Sequence, residues 1–355
     1  MAKRTRKSIT RRDFIKAGIT GTVALSASGY LNGCAPSFLK KRPPNILFIM
    51  TDQQHLDTIA HLGCSQVQTP AMDQLAAHGI SFRESYVTHP VCLPCRASIF
   101  TGRMPSETGI NRKKPALRPE LPTLGTWIAE HSNYTNIYAG KWHVPKYIPS
   151  KRDDVPGFRT IATGISGQGF MMDTHVALAC EAYIRNYSKQ NPFFMVASFM
   201  NPHDICEWQF LNTANQETLR FPELADELPQ LPPNFNYPPE EPEFIKKFRL
   251  TLDPHVGYWE ELHWRYYLWS YYRHIEMVDG EIQRLLDALR DTGRDKDTLI
   301  VFTSDHGEGL GHHQMTHKLF PYDEVCKVPF IIGLPDTLPE KLFLHFDRGY
   351  NYGFR

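Results

Sequence analysis

At 355 residues the chain has room for one large domain or two modest ones. Its formal net charge of +1 gives no electrostatic footprint for nucleic acid or for a general membrane-surface role. Seven cysteines without regular spacing argue against a disulfide scaffold, and no internal repeat or low-complexity tract is present.

Residues 1–41 read as a targeting segment, not as part of the fold. Lys3, Arg4, Arg6 and Lys7 make a basic start, and the Arg11-Arg12 stretch resembles a twin-arginine export motif. The mildly apolar run 17–31 is too short and too rich in Gly, Ser and Thr to span a bilayer. The residues before Cys34 resemble a lipobox, so a lipid anchor at Cys34 is the one membrane attachment expected. The expected location is the periplasm.

After Pro43 and Pro44, residues 45–50 form a continuous apolar run, as in a strand buried on both faces. It delivers Asp52 and Gln53 to its carboxyl end, where ligands gather in α/β proteins. Residues 69–79 read as a capped helix closed by glycine, and residues 81–87 as a strand. Then comes Cys92-Leu93-Pro94-Cys95-Arg96, followed by Thr101-Gly102-Arg103. Pro94 suits a first helical turn and Gly102 a helix end, so Cys92 stands just before a short helix, facing its backbone donors. Arg96 lies one turn along, where its fork can reach the same anion. A Cys92–Cys95 redox pair and a merely structural helix start remain open readings of these residues.

Further on, residues 121–130 read as a helix and 135–139 as a strand ending in Lys141 and His143. Residues 174–189 follow as a helix and 192–200 as a buried strand ending in Asn201-Pro202-His203. The proline-rich, aromatic stretch 205–250 reads as one long loop over the site, with Trp208 and Tyr237 packing on the surface. A 3.6-residue periodicity over 264–292 is a long helix stopped by Gly293. Residues 298–303 are a buried strand ending in Asp305 and His306, and 328–334 are the last strand. His312, His313 and His317 tempt a zinc site, but adjacent histidines point apart in most backbones.

The series of strand ends carrying Asp-Gln, Cys-x-Pro-x-Arg, Lys-x-His, Asn-Pro-His and Ser-Asp-His resembles the type I sulfatases over residues 43–335. That resemblance implies an alkaline-phosphatase-like α/β fold: a large mixed, mostly parallel sheet with helices on both faces. It implies that Cys92 is oxidised by a maturase to formylglycine, whose hydrate attacks a sulfate ester, most naturally on a carbohydrate. It implies that Asp52, Gln53, Asp305 and His306, together with the modified Cys92, hold Ca²⁺, with Mg²⁺ and Mn²⁺ as other candidates. Gln53 stands where the family usually has a second carboxylate. By the same resemblance Arg96, Lys141 and Lys318 neutralise the sulfate, His143 handles a hydroxyl of the nucleophile, and His203 protonates the leaving alcohol. The expected domains are a signal segment (1–41), a catalytic domain (42–335) and a short tail (336–355). Family members continue into a smaller C-terminal subdomain, so the chain is expected to be C-terminally truncated. Three alternatives stay open: a phosphodiesterase or phosphonate monoester hydrolase of the same superfamily, an inactive anion-binding lipoprotein, and a thiol oxidoreductase using Cys92 and Cys95.

Overall fold

Apolar runs flanked by prolines and glycines become the strands of a single sheet. The computed structural model describes residues 42–110, 117–118, 120–144, 155–163, 169–213, 222–252 and 259–333. The readings of 1–41 and 336–355 lie outside them, and every element below belongs to the unit that starts at Pro44. In chain order the strands are β1 (Asn45–Asp52), β2 (Gly79–Phe82), β3 (Thr135–Gly140), β4 (Arg159–Thr163), β5 (Phe193–Pro202), β6 (Thr298–Ser304) and β7 (Phe330–Gly333). The helices are α1 (Pro70–His78), α2 (Cys92–Thr101), α3 (Pro105–Thr108), α4 (Leu124–His131), α5 (Gly169–Asn186), α6 (Ile205–Thr213), α7 (Glu243–Leu252), α8 (Glu261–Asp291) and α9 (Asp323–Cys326).

The sheet order is β2-β7-β6-β1-β5-β3-β4. Strands β6, β1, β5, β3 and β4 pair in parallel, whereas β7 is antiparallel to both β6 and β2. β1 is central, between β5 and β6, which explains its unbroken apolar run. Its side chains alternate between two cores. Leu47 and Ile49 face α1, α5 and α8, while Phe48 and Met50 join Phe100 of α2, Tyr138 and Phe194. Helices therefore cover both faces, as α/β folds require. On α8, Tyr267, Tyr271, Ile275, Val278, Ile282, Leu285 and Leu289 are buried along one stripe, each stabilising by about 1.5–3 kcal/mol. No helix among the described residues is long and apolar enough to cross a membrane.

Some local expectations are displaced. Cys92 is the first residue of its helix, and Gly102 ends that helix in left-handed backbone. Gly79 does not close α1 that way; it is extended and opens β2, packed so tightly that a Cβ would lie 2.6 Å from the Ile332 carbonyl oxygen. The expected strand at 81–87 shrinks to β2 and a bridge between Tyr86 and Lys327. β4 went unanticipated because it is a half-buried edge with no apolar run. The stretch 205–250 is not one loop, since it contains α6 and α7. Pro242 sits just ahead of α7, a position where proline favours helix initiation rather than irregular chain. Arg265 of α8 pins the intervening segment by donating to the carbonyls of Ala225, Leu228 and Pro229.

Candidate active site

Asp52 and Gln53 at β1, Lys141 after β3, His203 after β5, and Asp305 and His306 after β6 all stand at the carboxyl edge of the parallel strands. The backbone there is shaped for close approach. Gly140 has φ 100°, and a Cβ on it would sit 1.9 Å from the Ser198 carbonyl oxygen, which accepts the Lys141 N–H at 3.0 Å. Asp173 of α5 accepts the N–H groups of Met200 and Asn201 at 2.7 and 2.9 Å. Asp204 in turn caps α5, accepting the N–H groups of Gly169 and Phe170. These bonds lock the chain on both sides of His203.

Cys92 begins α2 and is 4% exposed. Its sulfur lies 3.1 Å from His306 Nε2, 3.2 Å from Lys318 Nζ and 3.7 Å from Asp52 Oδ1. Burial and the Asp52 charge favour the neutral thiol, but Lys318, Lys141 and His306 outweigh them and hold Cys92 well below the usual thiol range. Cys95 behaves oppositely: burial pushes its thiol up. Both are free thiols in the structure.

Arg96 is fully buried and its fork is committed to the protein. Nε donates to Asp305 Oδ2 at 2.6 Å and one terminal nitrogen to Asp52 Oδ2 at 2.8 Å. The other donates to the Lys141 carbonyl at 2.8 Å and to Ser198 Oγ at 2.9 Å. Expected on an anion, it instead holds the two carboxylates. Lys141 Nζ joins it on Asp52 Oδ2 at 2.6 Å. Burial opposes the Asp52 charge, yet Lys141, His203, Arg96 and Lys318 keep this carboxyl well below the usual range. Burial and Asp52 push Asp305 upward against Arg96.

With both Oδ2 atoms occupied by cations, the Oδ1 atoms face a common point. Asp52, Cys92, Asp305 and His306 each offer a ligand atom within 4.8 Å of the others, the one such group among the described residues. His306 Nδ1 faces the Gly307 carbonyl at 2.8 Å and carries a proton. Burial opposes a charged ring, yet Asp305 and the Cys92 sulfur raise the imidazole, so Nε2, 3.1 Å from that sulfur, offers a lone pair only in the neutral form that a bound cation would select. Two facing carboxylate oxygens, an imidazole lone pair and a nearby amide oxygen are a donor set that fits a divalent cation, which would relieve the Asp52–Asp305 repulsion. Gln53, in left-handed backbone at φ 70°, turns its Oε1 to Lys318 Nζ.

His203 shares a hydrogen bond with the Cys92 sulfur, and its buried Nδ1 has no partner among the described residues. Burial, Lys318 and Lys141 lower its imidazole to about 4. His143 is buried in left-handed backbone at φ 58°, beside Trp142, which packs edge-on against Phe100 at 4.8 Å. The three loop histidines do not converge. His312 and His313 turn to Asn234 and Glu324, and His317 to Cys206. Trp208 packs against Trp259, Tyr266 and Tyr267. Sequence reasoning passed over Ser198 and Glu308; both are buried polar residues that act through a neighbour of the cluster, a relation that only the fold creates.

A family model described as Sulfatase matches residues 44–348. The Delta 4,5-hexuronate-2-O-sulfatase of Bacteroides thetaiotaomicron is 30% identical over 327 residues, covering 87% of this chain and 66% of its own length. The ulvan-active sulfatase of Formosa agariphila is 30% identical over 310 residues, covering 84% and 57%. A solved 2-O GAG sulfatase matches with a TM-score of 0.72 at 27% identity, covering 83% of this chain and 65% of that one. The chain thus spans 66% or less of the length of these relatives. Its sheet is the mostly parallel one of the alkaline-phosphatase-like fold, and the chain belongs to the sulfatase family.

Proposed function

We propose that the protein hydrolyses a sulfate ester of a carbohydrate, using a nucleophile formed at Cys92. The carrying observation is the Cys92 sulfur at a helix start, between Lys318 Nζ and the Asp52–Asp305–His306 cluster. Oxidised to formylglycine by a maturase, Cys92 supplies a hydroxyl of the aldehyde hydrate as the attacking group. A divalent cation such as Ca²⁺, held by Asp52, Gln53, Asp305 and His306, would supply Lewis-acid stabilisation of the sulfuryl oxygens. Lys141 and Lys318 put positive charge beside Cys92, where the non-bridging oxygens of the sulfate would sit, while the negative charge that builds on the departing bridging oxygen is met by a proton. Arg96 fixes both carboxylates and opposes the upward push of burial on each. His143 serves the hydroxyl not used in attack. Export through the twin-arginine route, with Cys34 as a lipid anchor, places the enzyme in the periplasm; the sulfated sugars named for the two relatives support a saccharide substrate.

The test is turnover of 4-nitrophenyl sulfate against an aryl phosphonate monoester by the full chain purified from its own host. Sulfate turnover faster by about tenfold or more is expected; a preference for the phosphonate sinks the proposal.

His203 is the leaving-group acid in this reading. Its imidazole, neutral near pH 7 when the site is empty, gains a proton more readily once an anion sits among Lys141, Lys318 and Asp52. Substituting His203→Gln is expected to cost about 10²–10³ in kcat on an alkyl or sugar sulfate. On 4-nitrophenyl sulfate, whose phenolate leaves unaided, the loss shrinks to about tenfold or less. Equal losses on both substrates would remove His203 from the acid role.

A further inference from the structure

Glu308 is fully buried, and each of its oxygens has its own donor. Oε1 accepts the Tyr267 hydroxyl at 2.5 Å, and Oε2 accepts Nε2 of Gln53. Lys318 Nζ can only donate, so the end of the Gln53 amide that meets it is the oxygen, and the end turned toward Glu308 is the NH₂. Lys318 in turn touches the Cys92 sulfur at 3.2 Å. Tyr271 steadies the same residue from behind, donating to the Gln53 carbonyl at 2.7 Å. An amide left without this partner could present either end to the cluster, and an NH₂ facing a cation repels it.

We infer that Glu308 is a positioning residue: it orients the Gln53 side chain so that the carbonyl oxygen, not the amide nitrogen, lies on the side where Lys318 and Cys92 border the Asp52–Asp305–His306 cluster. The inference rests on the cation reading given under Proposed function. It also explains the side chain at position 53. A carboxylate there would place two acid side chains within hydrogen-bond distance in a fully buried site, whereas an amide gives Glu308 a donor.

Calorimetric titration of the EDTA-stripped full chain with Ca²⁺ tests this, with near-UV circular dichroism in EDTA reporting the fold. Glu308→Leu is expected to weaken Ca²⁺ binding by about 10–100-fold, in the range of other residues that orient metal ligands. Gln53→Glu alone should also weaken it, because two carboxylates then oppose each other. The double variant Gln53→Glu with Glu308→Gln should return to within about threefold of the parent, since the pair is complementary again. Unchanged affinity in Glu308→Leu overturns the inference. So does a Gln53→Glu chain that binds as tightly as the parent with no further response to Glu308→Gln, and this pair decides the matter even where the leucine variant fails to fold. A parent chain that binds none of Ca²⁺, Mg²⁺ and Mn²⁺ overturns the cation reading together with the inference; a parent that binds, with variants that bind equally, overturns the inference alone.

Discussion

Alanine at position 92 is expected to abolish turnover of an aryl sulfate, lowering kcat by about 10⁴-fold or more, while the near-UV circular dichroism stays that of the parent. The sulfur fills little space, so the packing loss is about 1 kcal/mol. Everything else in the site converges on it: Lys318, His306 and His203 all contact Sγ. Removing the side chain leaves the cations and the carboxylates in place with nothing to attack the substrate. Cys95→Ser serves as the contrast. Its thiol lies buried on the next turn, and burial holds it neutral, so turnover should stay within about threefold of the parent. A Cys92→Ala chain that keeps a tenth of the parent's rate, or a Cys95→Ser chain as inactive as Cys92→Ala, would return the thiol-redox reading to the front.

Arg96→Met is expected to be the most damaging change to the fold, costing about 3–5 kcal/mol. One guanidinium bonds acceptors on four different segments: Asp52 at the end of β1, Asp305 after β6, Ser198 in β5 and the carbonyl of Lys141 after β3. Without it, two buried carboxylates face each other with Lys141 as the one Lys or Arg paired directly with Asp52 and none on Asp305 Oδ2. Arg96→Lys should recover little, because a single ammonium cannot reach acceptors placed in four directions. Urea denaturation in EDTA measures both. A loss under about 1 kcal/mol in either variant would mean that the carboxylates share charge by another route.

The central strands were legible because burial on both faces leaves an apolar run that needs no partner to recognise. β4 was not: Arg159–Thr163 is an edge with every residue half-buried or exposed, so nothing in its composition separates it from loop. The helices inside 205–250 were hidden by their prolines, which end one element and begin the next. At the site, the residues at strand ends were readable because each strand hands over a short run of polar residues in order. Their partners were not. Glu308 lies 255 positions from Gln53 and 41 from Tyr267, and Arg96 lies 209 from Asp305. No local spacing announces such pairs, and so the direction of the Arg96 fork came from the structure alone.

The distance along the chain between Cys92 and Lys318 also sets a clock. The two residues that touch at 3.2 Å are 226 positions apart. At the usual pace of synthesis, roughly 5–20 residues per second, the segment around Cys92 emerges about 10–45 s before Lys318 exists. Through that interval the β1 end, α2 and the carboxylate side of Asp52 can meet, but Asp305, His306 and Lys318 cannot yet close over the sulfur. A thiol that ends 4% exposed is thus uncovered for its first half-minute, and the maturation proposed above would draw on the order of residues in the chain, not on the finished site, for its access.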